Sequence, residues 1–588
     1  MLAHPDPPSP RAWWKSAIIY QIYPTSFFDS NGDGIGDLNG IHAKLDYLKD
    51  LGVDVVWLSP IYCSPLADMG YDISDYRNID PRYGTLEDWD NLLQGAHQRG
   101  MKLMLGHRFS SFTPVNHTSD EDNPKRDWYI WRPGKQVDGK RLPPNNWKSV
   151  FQGSAWDYDE NTKEYYLHLY VSKQPDLNWD NPDVRDAVWD VMRFWINRGC
   201  DGFRMDVINI ISKVEGLPDA LVVDTSQYYQ SASMHFANGP RVHEYIKQMH
   251  AEVLSKYDLI TVGETPFTHD ASQLAAYVLP QNKELNMVFN FELMDLDSPD
   301  YSPLVRKAWT LAEFKDVIRR WQQFKRDEGY WNTVFIENHD HARSVSRFGN
   351  DSNEWRAISA KMLCILEVTL TGTLYIYQGQ ELGLRNFPRS WGLEEYKDVA
   401  SQNYYNLVRV QRQKAEGRED VDMSDLLDHF QQKARDHART PMQWDSSPNG
   451  GFTTGEPWMR VNDDYANWNA AAQLQDPDSV YAFWKHAIEV RRQHDVLVYG
   501  SFELKLPEHQ QVFAYTRVLG DSEAIVVMNF GVNEAEIDPA RLGDLDACRS
   551  ILRNYGASRD DGGRRLNLRG YEGRVYLKQV FSPGCAQN

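Results

Sequence analysis

The sequence predicts an α/β chain folded as a (β/α)8 TIM barrel, and three observations carry that prediction. Eight short β-branched or aromatic runs recur at 18–22, 53–58, 102–105, 202–205, 260–262, 287–289, 333–336 and 373–377. Segments with helical spacing separate them, which is how parallel strands are joined. Several runs close on polar residues, and a barrel gathers such groups at the C-terminal ends of its strands. A doubly wound open sheet is the other arrangement that this alternation allows.

The clearest helix spans 181–198, with Val184, Val188, Val191, Met192 and Trp195 on one face. Asn181 can cap it, Pro182 suits its first turn and Gly199 can end it. Two regions break the alternation. From about 116 to 173 the chain is rich in Trp, Pro, Asn and Asp, with an alternating stretch at 165–171, which reads as a subdomain overhanging the site. After about 499 strands such as 512–517 and 524–529 follow one another without a helical period, which predicts a separate antiparallel β-sandwich. The expected organisation is barrel over 1–115, inserted subdomain over 116–175, barrel again over 176–498 and sandwich over 499–588.

Composition narrows the function. The 588 residues carry 63 Lys+Arg against 83 Asp+Glu, a net charge of −20, with 41% hydrophobic and 13% aromatic residues. That is enough apolar surface for a large core, and the acidic balance disfavours nucleic acid, whose binding relies on clustered cations. The five cysteines, Cys63, Cys200, Cys364, Cys548 and Cys585, are scattered without CxxC spacing, which points away from a disulfide framework or zinc site. With no signal-like N-terminus and no apolar run of about 20 residues, the expectation is a soluble, cytoplasmic protein without membrane partner. The assembly state is not legible, and a monomer is expected.

The chemistry concentrates at three strand ends. Asp201-Gly202-Phe203-Arg204-Met205-Asp206 presents Arg204 and Asp206 on one side of a strand, where a guanidinium can hold a carboxylate ionised. Val262-Gly263-Glu264 and Asn338-His339-Asp340 close two later runs in the same manner. Converging carboxylates are the tools of retaining glycoside hydrolysis, in which one attacks the anomeric carbon and another protonates the departing oxygen.

These segments, with Asn116-His117, resemble in order the four signature stretches of the α-amylase family of glycoside hydrolases. Gln174-Pro175-Asp176-Leu177-Asn178-Trp179 and Ala438-Arg439-Thr440-Pro441-Met442-Gln443-Trp444 resemble its oligo-1,6-glucosidase, maltase and sucrase branch. The resemblance implies Asp206 as nucleophile, Glu264 as general acid and then base, and Asp340 as stabiliser of the transition state, helped by His339 and Arg204. It also implies an Asp68–Arg439 ion pair closing the far end of a glucose pocket, Tyr71 stacked under the sugar ring, and further contacts from His117, Tyr170 and Gln174. A pocket closed behind one glucose implies exo-action on short oligosaccharides. No catalytic cofactor is implied.

Two further features carry expectations. Asp29, Asn31, Asp33, Ile35 and Asp37 place oxygens at alternate positions around Gly34, and in the resembling family the equivalent loop binds structural Ca2+ or Mg2+. Gly40 stands where an EF-hand would have its bidentate Glu. Val207, directly after the nucleophile, goes among relatives with α-1,6 cleavage, while Thr or Ala goes with α-1,4 selectivity. Isomaltose-type substrates are therefore favoured, with maltose and sucrose in reach, because one apolar contact discriminates by only about 1–3 kcal/mol.

The third strand departs from the pattern. Relatives carry Asp-Leu-Val-Val before Asn-His, with the Asp supporting the floor of the glucose site. Here Gly106 or Phe112 falls at that Asp, depending on the end from which the stretch is aligned. Six residues are extra, and about a dozen are missing between Ser119 and Arg126. Such a compensated change fits a displaced exon boundary or a protein that has lost turnover. Three readings follow: an α-1,6-leaning α-glucosidase, an α-1,4-selective maltase, and a glycosidase-like binding or regulatory protein.

Overall fold

The computed structural model describes residues 11–109, 123–299, 304–556 and 565–578. Eight parallel strands form one sheet: β1 Ile18–Ile22, β2 Val55–Leu58, β3 Lys102–Arg108, β4 Gly202–Asp206, β5 Ile260–Glu264, β6 Met287–Phe289, β7 Thr333–Val334 and β8 Thr373–Tyr377. Their spatial order is β6-β5-β4-β3-β2-β1-β8-β7. The seam between β6 and β7 is bridged by Thr333 Oγ1 donating to the Val288 carbonyl at 3.1 Å. The sheet is a near-closed (β/α)8 barrel.

Strand periodicity separates two apolar sets. Ile19, Val55, Trp57, Met104, Ile260, Val262, Met287, Phe289, Phe335 and Tyr375 fill the barrel interior. Ile18, Tyr20, Ile22, Leu103, Leu105, Phe203 and Met205 face outward, where the helices cover them. All eight runs became strands because each is short, branched and bounded by turn residues. Several bounds differ from expectation: β2 begins at Val55, β3 continues to Arg108, β4 and β5 extend to Asp206 and Glu264, and β7 stops at Val334.

The clearest predicted helix forms as Pro182–Asn197, with the Asn181 side chain accepting from the Asp183 N–H at 2.9 Å. Its core face differs in one respect. Val184, Trp189, Met192 and Trp195 are buried, whereas Val188 and Val191 are only half-buried. Trp189 offers more apolar area than either valine, and the helix rotates to bury it. Gly199 follows at φ +96°.

Between β3 and β4 lies a small layer of antiparallel strands, Trp131–Arg132, Glu164–Leu167 and Trp156–Asp159. The alternating stretch at 165–171 is strand only to Leu167. Its cluster of Trp147, Trp156, Tyr165, Leu167 and Leu169 continues into Val207, Ile210 and Phe236 beyond β4, so this layer is packed on the loop that follows Asp206. At the C-terminus β9 Ser501–Lys505, β10 Val512–Leu519, β11 Ser522–Asn529, β12 Cys548–Arg553 and β13 Gly573–Lys578 make a five-stranded antiparallel sheet ordered β9-β10-β11-β13-β12. The ladder of Ala535–Ile537 with Leu566–Leu568 covers one face of it.

Candidate active site

The register of β3, β4 and β5 builds the site. Arg204 pairs laterally with Gly106 and Val262, and Asp206 with Arg108, so Arg204, Asp206 and Arg108 emerge together at the C-terminal end. One guanidinium joins the two principal acids: Arg204 Nη1 binds Asp206 Oδ1, and Nη2 binds Glu264 Oε1 at 2.8 Å. Glu264 Oε2 accepts the Val207 N–H at 3.0 Å. To aim that N–H, Val207 adopts φ +41° and ψ +43°, a left-handed conformation that a β-branched residue reaches only at a cost of about 1–3 kcal/mol. Such strain persists where packing fixes it, and the Val207 side chain is buried in the cluster under the inserted strands.

Burial pushes the Glu264 carboxyl up to about 8, because Asp206 and Asp340 add to it while Arg204 opposes. Asp340 goes the other way. Burial raises it, but His339, Arg435, Arg439 and Arg204 outweigh that and hold its carboxyl well below the usual carboxylate range. Its Oδ1 accepts from Arg435 Nη1 and Arg439 Nη2, each at 2.9 Å. His339 is lowered by burial to about 3 and is neutral. Gln21 Nε2 meets its Nδ1 at 2.7 Å, which leaves the Nε2 proton facing Tyr71 Oη at 2.6 Å and Asp340 Oδ2 at 3.1 Å. The Tyr71 ring lies parallel to the imidazole, with centroids 5.4 Å apart.

Asp68 is also buried and is pushed up to about 6, burial exceeding the pull of Arg435 and Arg108. It accepts from Gln174 Nε2 at 3.0 Å. The expected Asp68–Arg439 pair is corrected here. Arg435, four residues earlier, lies 3.7 Å from Asp68, while Arg439 reaches Asp340 and, at 3.4 Å, Asp398. Both arginines lie in the same short segment, and Arg435 extends a fork between Asp340 and the fully buried Asp398. Sequence reasoning missed Arg435 and Asp398. The signal available was the Arg435-Asp436-His437-Ala438-Arg439 spacing, which puts two cations one helical turn apart.

Arg108 was missed as well. Its Nη1 is 3.2 Å from Asp206 Oδ2 and 3.8 Å from Asp68 Oδ2, and its guanidinium carbon stands 4.2 Å from the Tyr170 ring centroid. At Gly106, one of the two positions aligned with the absent third-strand carboxylate, a Cβ would stand 3.0 Å from the Leu58 carbonyl and 3.4 Å from Trp57 Nε1, a buried donor without a hydrogen-bond partner among the described residues. His117 lies outside the described residues.

The Asp29–Asp37 loop lies apart from these groups, closed on the segment at 452–458. Asp29 Oδ1 accepts from the Asn31 and Gly32 N–H groups and Oδ2 from Gly34 and Thr453, while Asn31 and Asp33 accept from the N–H two residues on. Asp37 accepts from Ser30 and Gly40 and caps the helix Leu38–Ala43. At Gly34, φ +91°, a Cβ would fall 1.9 Å from the Glu456 carbonyl, so only glycine fits. Among the described residues no group of three or more His, Cys, Asp or Glu side chains is placed to hold a metal ion. In the expected Ca2+ or Mg2+ set of Asp29, Asn31, Asp33, Ile35 and Asp37, the Asp29, Asn31, Asp33 and Asp37 side chains accept from backbone or hydroxyl donors.

Residues 21–500 match the model of the α-amylase catalytic domain. An oligo-1,6-glucosidase of Parageobacillus thermoglucosidasius is 48% identical over 583 residues, covering 96% of this chain and 99% of that protein. An α-glucosidase of Schizosaccharomyces pombe is 47% identical over 560 residues, covering 92% and 94%. Among solved structures, trehalose-6-phosphate hydrolase of Bacillus licheniformis superposes with a TM-score of 0.87 at 39% identity, covering 96% of this chain and 100% of that one. Isomaltulose synthase of Klebsiella sp. LX3 gives 0.89 at 37% identity, covering 97% and 100%.

Proposed function

The chain belongs to the α-amylase family of glycoside hydrolases, and we propose that within it this protein is a retaining, exo-acting α-glucosidase that releases glucose from short α-glucosides. The observation that carries the reading is the single guanidinium of Arg204 bridging Asp206 and Glu264. Two carboxyls held by one fork lie close to one another, which supports the roughly 5–5.5 Å separation of a retaining pair.

The two acids differ in the way the chemistry needs. Glu264, raised to about 8, keeps its proton at neutral pH and can give it to the departing oxygen. Asp206, bound by Arg204, attacks the anomeric carbon to form a covalent β-glucosyl intermediate. Glu264, then deprotonated, takes a proton from the water that releases glucose. Asp340, kept ionised by Arg435 and Arg439, offsets positive charge developing on the ring, and Asp68, Gln174, His339 and Tyr71 bind hydroxyls or stack on the sugar. Closure behind one sugar by Asp68 and Arg435 favours exo-action. Val207 and the oligo-1,6-glucosidase relatives favour isomaltose-type links, with maltose and sucrose as weaker substrates. The reading includes no catalytic cofactor, and any Ca2+ at the Asp29 loop would be structural.

Glucose release from isomaltose, maltose and sucrose by purified protein tests the reading. Asp206→Asn should lower kcat at least about 10³-fold, and a fully active variant would refute the assigned nucleophile. The reading of a sugar-binding protein without turnover rests on Gly106 and Arg108, and a chain that releases glucose from none of the three sugars would favour it.

A further inference from the structure

The environment of the nucleophile holds one group that the proposed reaction does not use. Arg204 occupies Asp206 Oδ1, so Oδ2 is the oxygen left to attack. Among the described residues that oxygen has no hydrogen-bond partner, and what faces it, at 3.2 Å, is the Arg108 guanidinium. Attack requires the anomeric carbon at about 3–3.5 Å from the same oxygen. A guanidinium nitrogen 3.2 Å from that oxygen competes with the carbon for the approach to it. Arg108 also spans toward Asp68, the carboxylate proposed to close the far end of the sugar pocket, and lies over Tyr170. Its guanidinium therefore fills the gap between the two ends of that pocket.

Among the described residues nothing else fixes it there. Arg108 is 3% exposed, yet its Nε and Nη2 are buried without hydrogen-bond partners among the described residues, an unfavourable placement for a cation held only by two carboxylates and a ring face. The backbone beneath is well anchored: Tyr76 Oη donates to the Arg108 carbonyl at 2.7 Å and Trp179 Nε1 to the Phe109 carbonyl at 2.8 Å. The side chain can thus leave without the strand end moving.

We propose that Arg108 is an internal plug of the glucose pocket, a resident cation on Asp206 Oδ2 that a neutral sugar must displace before the nucleophile can react. This rests on the hydrolase reading for the identity of the ligand. When the plug leaves, Oδ2 forms the bond to the anomeric carbon, the glycosidic C–O bond breaks with its electron pair going to the departing oxygen, and Glu264 supplies that oxygen's proton. The guanidinium takes no part in these steps.

The test compares the wild type with Arg108→Ala and Arg108→Gln on isomaltose, alongside the rate at which a gluco-configured cyclitol epoxide esterifies Asp206, read by peptide mass. Arg108→Gln keeps bulk and polarity in case the smaller variant fails to fold. Removing the plug should raise both kcat/KM and the labelling rate at least tenfold in Arg108→Ala, with Arg108→Gln between. Folded variants that hydrolyse and label no faster than the wild type overturn the proposal, and so does an Asp206 that labels in none of the three proteins. Faster labelling without glucose release from any protein would leave the plug standing and refute the hydrolase reading instead.

Discussion

Glu264→Gln is the substitution whose outcome the structure fixes most sharply. An ordinary glutamic acid near 4.5 moved to about 8 corresponds to roughly 5 kcal/mol of preference for the neutral form. Because the folded value lies above the unfolded one, this contribution to stability is fully present below pH 4.5 and is lost as pH rises through 8. The same proton is the one delivered to the leaving group, so activity and this part of stability fall together on the alkaline side. In the wild type, kcat/KM on isomaltose should decline with a limb near pH 8. Glu264→Gln, which cannot donate, should lose about 10²–10⁴ on isomaltose. Its kcat/KM should fall far less on p-nitrophenyl α-glucoside, whose leaving group departs without a proton, and its thermal midpoint should drop less than the wild type's between pH 6 and pH 9. Rate profiles from pH 5 to 10 with both substrates, and melting by intrinsic fluorescence, measure all three. Equal losses on the two substrates, or a wild-type profile flat to pH 10, would refute the assignment of Glu264 as acid.

Three other outcomes are expected. Val207→Thr should shift the ratio of isomaltose to maltose kcat/KM toward maltose by about tenfold or more, and an unchanged ratio would mean that the side chain only packs. Arg435→Leu strips Asp398 and Asp340 of their forked partner and should cost about 3–5 kcal/mol in urea unfolding, with Arg435→Lys recovering part of it; an unmoved midpoint would refute the pairing. Since the Asp29 and Asp37 oxygens are taken by N–H and hydroxyl donors, excess EDTA should change the melting temperature by no more than about 1 °C, and a fall of about 5 °C or more would show that a metal holds the loop.

The eight strands and the acids at their ends were legible because each signal is local. A branched run between turns becomes a strand, and its closing residue inherits the strand's position. Asp206 and Glu264, which end β4 and β5, could be found this way, whereas Asp340 lies in the loop beyond the end of β7 at Val334 and was found through its Asn338-His339-Asp340 motif. Val188 and Trp189 mark the limit for helices, where periodicity offers neighbouring faces and tertiary packing selects the one that buries most area.

What the sequence could not decide is which charges meet. Arg435 and Arg439 stand one helical turn apart and carry the same charge, and only the folded positions of Asp68, Asp340 and Asp398 distribute them. Arg108 offered no cue in an irregular stretch. The lateral register of β3 on β4 is what sets it beside Asp206. Strand identity and the acids that end β4 and β5 follow from neighbours in the chain, whereas an ion pair needs near-contact between groups remote in sequence, so partners are assigned only once those segments have been brought within a few ångströms of one another.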